Sequence, residues 1–447
     1  MSRSLILKTA VATAATLAAL SVFALGETSV GPVASPPETV GPNPVLKPVD
    51  KHLIPTVQVA VAKGWAVGAK PTAAPGVAVN AFATGLNHPR WLYVLPNGDV
   101  LVAETNAPPK PDDATGFRGK VMKAVMGKAG AGAPTANRIV LLRDADGDGI
   151  AETKTVFIDG LNSPFGMVLV GNDLYVADSD EILKFQYTAG TTSIASPGVK
   201  LTDLPAGTIN HHWTKNIIAT KDGTKLYATT GSNSNAGENG IEAEQGRAAI
   251  WEIDRASGEK HLFATGLRNP NGMAWEPTSG VLWTVANERD ELGNDLVPDY
   301  LTSVKQGAFY GWPWSYYGQH VDERVKPPRP DMVAKAIAPD YALGAHVAAL
   351  GLVAAQQTAL PAPFSNGMFI GEHGSWNRKP PVGYKVVFVP FAGGKPSGMP
   401  VDVLTGFVND RGEAYGRPVG VAIDNKGALL VADDVGNAVW RATGIGH

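Results

Sequence analysis

The chain has 447 residues, 44% of them hydrophobic, a formal net charge of −3 and no cysteine. It is long enough to bury a large core and carries no basic excess for nucleic acid; disulfides, thiolate metal sites, thioether haem attachment and cysteine nucleophiles are excluded. Its 51 glycines and 34 prolines suit a turn-rich all-β protein.

Residues 1–26, MSRSLILKTAVATAATLAALSVFALG, place Arg3 and Lys8 before an Ala/Leu/Val run that ends in the small-residue cleavage site Ala24-Leu25-Gly26. This reads as a secretory signal peptide. The mature chain is therefore expected in the periplasm or outside the cell, without stable membrane insertion once the signal is cleaved. Residues 27–75 hold many prolines and little periodicity, and are expected to form a linker or a strap.

Beyond Gly76 one phrase recurs: a Gly-Leu or polar lead-in, a short apolar run, a Gly-containing turn, and a second apolar run ending in polar residues. Copies start at Gly85 (GLNHPRWLYVLPNGDVLVAETN), Gly160, His211, Gly266 (GLRNPNGMAWEPTSGVLWTVANERD), Ala349 and Gly416 (GRPVGVAIDNKGALLVADDVGN). Each reads as the inner hairpin of a blade that cannot bury its own faces and must stack on its neighbours. Residues 76–447 are thus expected to form an all-β, six-bladed β-propeller. In the first unit, turns at Pro96-Asn97-Gly98 and Asp146-Gly147-Asp148-Gly149 set strands at 90–95, 99–105, 138–143 and 153–159, with a loop from Asn106 to Asn137. The stretch Gly76–Thr84 has no partner in that unit. It is expected to supply the outer strand of the sixth blade beside Ala438–Thr443, an N-terminal strand closing the last blade.

In a propeller, loops that enter inner strands and loops that leave second strands emerge on one face. That rule gathers Asn87, His88, His211, His212, Arg268, Asn269 and Arg417 with Glu104, Asn106, the SNSNAGENG run from Ser232, Asn287 to Glu291, Glu372 to Arg378, Asp433 and Asp434. Histidines, arginines and carboxylates at one mouth fit a site that binds an anionic ligand and moves a proton. On the opposite face, Asp144, Asp146 and Asp148 alternate like the start of a calcium loop, although position twelve is Thr155 rather than Glu. Both a structural calcium and a plain Asp-Gly turn remain open there.

His212 opening a blade, GLRNPNG with Arg268, Asn269 and Gly272, the acidic run NERDELGNDL, and the basic residues of HGSWNR and GRPVGV together resemble the soluble pyrroloquinoline quinone (PQQ) dependent sugar dehydrogenases. The similarity is strongest to the L-sorbosone dehydrogenase-like branch. FATGLNHPRWLYVLPNGDVLVAETN, LLRDADGDG and NPNGMAWEP extend it over about residues 70 to 445. The resemblance implies PQQ and calcium as cofactors and a sugar or sugar aldehyde as substrate. It assigns His212 as the general base and Arg268 as the residue that hydrogen-bonds the reactive quinone carbonyl. Asn269 follows as a cofactor contact, and Arg378 and Arg417 grip the cofactor carboxylates. Glu288, Arg289 and Asp290 fall where the family binds the bridging calcium, partly through main-chain carbonyls. The soluble glucose dehydrogenases carry Gln-Gly-Pro there, and a lysine where Arg378 stands. No C-x-x-C-H haem motif is present, so electrons are expected to leave to a separate cytochrome or quinone. Two other classes fit the same mouth: a calcium-dependent lactonase using Glu104, Asn269 and Asp433 as ligands, and a non-catalytic binding propeller of the NHL or YVTN type.

Overall fold

The computed structural model describes residues 31–50, 56–109, 127–130 and 132–446. Residues 1–26, expected to be a signal peptide, and residues 110–126 of the long insertion in the first unit lie outside the described residues. Among those described, no helix is long and apolar enough to cross a membrane.

The chain winds into a six-bladed β-propeller of four-stranded antiparallel sheets. Blade 1 is Pro89–Val94, Val100–Glu104, Arg138–Arg143 and Thr153–Ile158. Blade 2 is Met167–Val170, Asp173–Ala177, Glu181–Gln186 and Val199–Asp203. Blade 3 is Ile217–Ala219, Lys225–Thr230, Ala249–Asp254 and Lys260–Thr265. Blade 4 is Asn269–Trp275, Leu282–Asn287, Pro298–Ser303 and Tyr341–Ala345, with the hairpin Ser315–Tyr316/His320–Val321 inserted before its last strand. Blade 5 is Ala349–Ala354, Gly367–Glu372, Lys385–Ala392 and Val401–Thr405, lengthened at its outer edge by Thr72–Ala73. Blade 6 is Pro418–Ile423, Leu429–Asp433 and Ala438–Gly444, and its fourth strand is Val77–Thr84 from the other end of the chain.

Burial follows from this stacking. The second strand of blade 1, Val100–Glu104, is buried at every position because neighbouring blades cover both of its faces. Between blades 6 and 1, Phe82, Leu430 and Val439 pack against Leu92, Val102 and Val140. Trp91 of blade 1 meets Phe165 at the start of blade 2, with ring centroids 4.7 Å apart. Near the axis the inner strands crowd together: a Cβ on Gly272 would lie 2.6 Å from the Leu352 amide nitrogen of the next blade, so only glycine fits in the NPNG turn-in.

Residues 31–50 and 56–75 lie against the ring. Val33 N–H donates to Pro381 O at 2.8 Å and Gln58 N–H to Trp376 O at 2.9 Å. The Trp65 indole donates to the Asp433 carboxylate at 2.7 Å.

Candidate active site

The mouth is organised by what leaves the second strand of blade 3. Past Thr230 the chain reads Gly231-Ser232, and Ser232 joins two blades: its N–H donates to Arg268 O at 2.8 Å, and its carbonyl accepts from His212 Nδ1 at 2.8 Å. The Ser232 hydroxyl lies 3.0 Å from the same ring nitrogen. Because a carbonyl only accepts, Nδ1 carries the hydrogen, and a neutral His212 ring keeps its lone pair on Nε2. Gly231 lies between the two side chains expected to work together: a Cβ there would sit 2.4 Å from His212 Cβ and 2.3 Å from Asn269 Oδ1. Burial pushes His212 well below its ordinary value, and the Arg268 charge adds to this.

Arg268 enters from the lead-in to blade 4. Its Nη1 donates to Glu288 O at 2.7 Å, and its Nε and Nη2 hold Asn235 O and Oδ1 at 3.2 and 3.1 Å. Nη2 also lies 3.3 Å from Asp290 Oδ2. Asp290 Oδ1 accepts from Asn377 at 2.7 Å and faces His346 Nδ1 at 3.4 Å. Burial alone would raise the Asp290 carboxyl, but Arg268 and His346 bring it down to about 2. His346 donates from Nε2 to Gly293 O at 2.9 Å; despite its burial, the bond to Asp290 raises it above its ordinary value. Arg268, Asp290 and His346 thus form one charged chain along blade 4.

A second carboxylate hub closes the ring on the other side. Asp434, leaving blade 6, accepts from Arg90 at 2.7 Å and from His373 Nε2 at 2.8 Å, with His88 Nε2 at 3.6 Å. Arg90 also lies over the Trp213 ring, 6.0 Å from its centroid. Arg417 stacks on Tyr384 at 5.0 Å and donates to its hydroxyl at 3.1 Å.

Of the residues singled out in the sequence, the structure brings His212, Arg268 and Asn269 together and places Arg417 on the same mouth. Asp290 joins them through its side chain. Glu288 and Arg289 do not: Arg289 is fully buried and directed away, with Nε on Glu288 Oε2 at 3.0 Å, Nη1 on Asp322 and Nη2 on Ser315 O. The expected calcium cage across Glu288–Asp290 is therefore not formed by side chains. Its main-chain oxygens face cations, Glu288 O taking Arg268 and Asp290 O taking Arg324 at 3.0 Å. This donor set does not fit a hard divalent cation, which needs six to eight free oxygens. Arg378 also departs from expectation: its donors are spent on Asn294 O, Pro380 O and Asp295, tying two loops rather than facing a ligand.

The lactonase set separates as well. Glu104 caps the Asn87 amide at 2.7 Å and pairs with Arg138, while Asp433 accepts two indole and two main-chain N–H groups. On the opposite face, Asp144, Asp146, Asp148 and Glu152 bring ligand atoms within 4.8 Å of one another. Those carboxylates cap amides of their own turn, and Lys426 Nζ donates to Gly147 O at 2.7 Å beside Asp144.

Arg417 Nε, Asn269 Oδ1 and His88 Nε2, three buried polar atoms at the mouth, lack a hydrogen-bond partner within the protein. An acceptor-rich, polyanionic cofactor such as PQQ matches the arginine and histidine donors there. The sequence gathers Asn235 at the mouth within the SNSNAGENG run and His373 within Glu372 to Arg378, and offers His373 and His346 as secondary candidates; it does not mark Arg90.

Residues 135–303 and 330–443 match the TrAA12-like family. The chain belongs to that family. An uncharacterised protein of Borreliella burgdorferi is 28% identical over 291 residues, covering 63% of this chain and 76% of that protein. Among solved structures, the iodide structure of the Trichoderma reesei Carbohydrate-Active Enzymes Family AA12 protein superposes with a TM-score of 0.68 at 19% identity, over 87% of this chain and 99% of that one. The holo form of the pyranose dehydrogenase PQQ domain from Coprinopsis cinerea gives 0.66 at 20% identity, covering 86% and 100%. The PQQ-bound aldose sugar dehydrogenase of Streptomyces coelicolor gives 0.55 at 18% identity, covering 84% and 99%. At these identities the superpositions establish a shared propeller with the TrAA12-like chain.

Proposed function

We propose that this chain is a sugar oxidoreductase that uses PQQ, with His212 as general base. The observation that carries the reading is the ordered His212 ring, pinned through Nδ1 to Ser232 beside Arg268 and Asn269. Membership of the TrAA12-like family supports it, as do propeller relatives described as PQQ-containing pyranose and aldose sugar dehydrogenases. When bound, PQQ supplies the two-electron acceptor. His212 Nε2 takes the proton of the substrate hydroxyl, and the pinned Nδ1–H holds the ring in the accepting tautomer. Arg268 and Arg417 offer fixed positive charge to carbonyl and carboxylate oxygens. For a sugar aldehyde such as sorbosone, the hydrated form presents the hydroxyl that His212 deprotonates. Calcium, if used, requires oxygens outside the Glu288–Asp290 side chains. The signal-peptide reading places the reaction in the periplasm or outside the cell, with a separate cytochrome or quinone as electron acceptor.

Titration of the purified chain with PQQ, with and without calcium, followed by dye reduction with aldoses and sorbosone, tests the proposal. Saturable PQQ binding and sugar-dependent reduction are expected, with a loss of about 10² to 10⁴ in rate for His212→Ala. No binding at micromolar PQQ would overturn the redox reading in favour of a binding propeller.

A further inference from the structure

Behind the His212 loop lie two buried cationic side chains that no step above uses. Lys215 is wholly buried, and its Nζ donates to Trp213 O at 3.1 Å and reaches His212 O at 3.5 Å. Arg247, 5% exposed, sits just before the third strand of blade 3. Its Nε donates to Gly231 O at 3.0 Å, its Nη2 to His212 O at 3.3 Å and Asn210 Oδ1 at 2.8 Å, and its Nη1 to Pro205 O at 2.8 Å. These contacts are all to neutral oxygens, with no carboxylate among them. Buried basic side chains whose hydrogen bonds all go to main-chain and amide oxygens are a poor device for stability alone, since apolar side chains would fill the same space without desolvating polar groups.

The contacts have one feature in common. Arg247 grips His212 O with one nitrogen and Gly231 O with another, so it sets the distance between the loop that carries the imidazole and the Gly231-Ser232 segment that receives its Nδ1–H. Lys215 holds the next carbonyl of the same loop. Neighbouring main chain extends the frame: Gly166 N–H donates to Lys215 O at 3.0 Å, and Asn216 reaches Asn271 O at 3.2 Å.

We propose that Lys215 and Arg247 are positioning residues for His212, clamping its main chain from behind so that the ring stays docked on Ser232 in the tautomer that leaves Nε2 free to accept a proton. The inference rests on His212 being the base. The titratable and charged groups that face His212 are Arg268 from blade 4, His211 on its own loop and Arg247 from blade 3; Asp180 from blade 2 acts on Lys215, and Glu244, ahead of the third strand of blade 3, acts on Arg247. Burial draws Lys215 well below its ordinary value, with the Arg247 charge adding to it, and in either protonation state the amine has the N–H groups to hold both carbonyls.

The full chain carrying Lys215→Met, Arg247→Met or Arg247→Lys is compared with wild type and His212→Ala. The first readout needs no cofactor: ¹⁵N-histidine NMR of the free protein, with the His212 signals identified by their loss in His212→Ala. Wild type is expected to show a single Nδ1–H tautomer, and Lys215→Met and Arg247→Met a mixture. With PQQ and sugar, kcat is expected to fall about 10- to 100-fold, the scale of a small misplacement of a catalytic group. KM and the Kd for PQQ are expected to stay within about twofold. Arg247→Met also moves the acid limb of activity to higher pH, whereas Arg247→Lys keeps the charge and leaves the limb in place. Folded variants with an unchanged tautomer and unchanged kcat overturn the proposal, as does a kcat loss that tracks KM, Kd and Tm together. If Arg247→Met fails to fold, Lys215→Met and Arg247→Lys decide by the tautomer. If His212→Ala keeps full activity, the base assignment has failed on its own account, and the tautomer readout still decides whether the clamp exists.

Discussion

His212 illustrates how much of a residue's chemistry is set by the atom it does not use. Its Nδ1 is committed to Ser232 O, and burial together with the Arg268 charge disfavours the imidazolium. A base must be neutral to act, and a group whose value is lowered stays neutral further into acid. Activity, measured as kcat/KM against pH, is therefore expected to remain level as the pH falls through 6.5 and to decline only in more acid solution. Arg268→Met removes a neighbouring positive charge and is expected to move that decline to higher pH; a decline centred at or above 6.5 in wild type would contradict the argument. His212, Arg268 and Asn269 were legible because each follows a blade lead-in where the repeat has no use for its polarity. Arg90 was not. It lies within the strand Pro89–Val94 between core residues, and only the register shift between Pro89 and Trp91 turns it towards Asp434. His346 was only a secondary candidate in sequence, because its place beside Asp290 depends on a left-handed backbone, φ 64°, just after the last strand of blade 4.

Polar side chains near the ends of the second strands recur as struts. Glu104 accepts from the Asn87 amide, Asp178 from Asn162, Thr229 from Asn216 and Asp433 from Arg417, each fastening the loop that enters its own inner strand. This is why Glu104 and Asp433 looked like site residues in sequence yet do not assemble a metal: propeller geometry sends struts and ligands to the same face. Glu104→Ala leaves the Asn87 amide without its partner and is expected to cost about 1 to 3 kcal/mol in urea unfolding, with PQQ affinity unchanged. At the same point of blade 5, Glu372 Oε2 is buried without a hydrogen-bond partner, and burial raises the carboxyl from 4.5 to about 8. The folded state therefore holds a proton that the unfolded chain has released, so Glu372 contributes stability that is lost as pH rises from about 4.5 through about 8. Glu372→Gln is expected to match wild type near pH 4.5 and to exceed it in urea midpoint at pH 8.5; equal midpoints at both pH values would show that the carboxyl is not held protonated. The strands themselves were read closely, 90–95 against Pro89–Val94 and 153–159 against Thr153–Ile158, because Gly-containing turns bound each apolar run.

At the scale of the whole molecule, ring closure is the feature that sequence arithmetic exposed best: Gly76–Thr84 had no partner in the first unit, and a ring cannot tolerate an open edge beside Ala438. In the structure Val77–Thr84 pairs along Ala438–Gly444, with a register shift between Ala81 and Ala83. The path of residues 31–50 and 56–75 was not legible, because it is set by isolated contacts such as Trp65 on Asp433 rather than by a repeating pattern. Trp65 also packs against Phe407, Tyr415 and Trp440. The two segments should therefore separate in a truncation series. A chain starting at residue 76 keeps the closing strand and loses the strap together with the short Thr72–Ala73 edge strand of blade 5. It is expected to remain folded with a lowered Tm, and Trp65→Ala in the full chain to reproduce part of that loss. A chain starting at residue 86 also loses Val77–Thr84, which uncovers Ala438–Gly444 and opens the contact between blades 6 and 1 where Phe82 packs on Leu92 and Leu430. That chain is expected to lose cooperative thermal unfolding or to associate through the exposed edge, read by calorimetry and sedimentation velocity. Equal unfolding temperatures for the two truncations would mean that closure through this strand does not hold the ring.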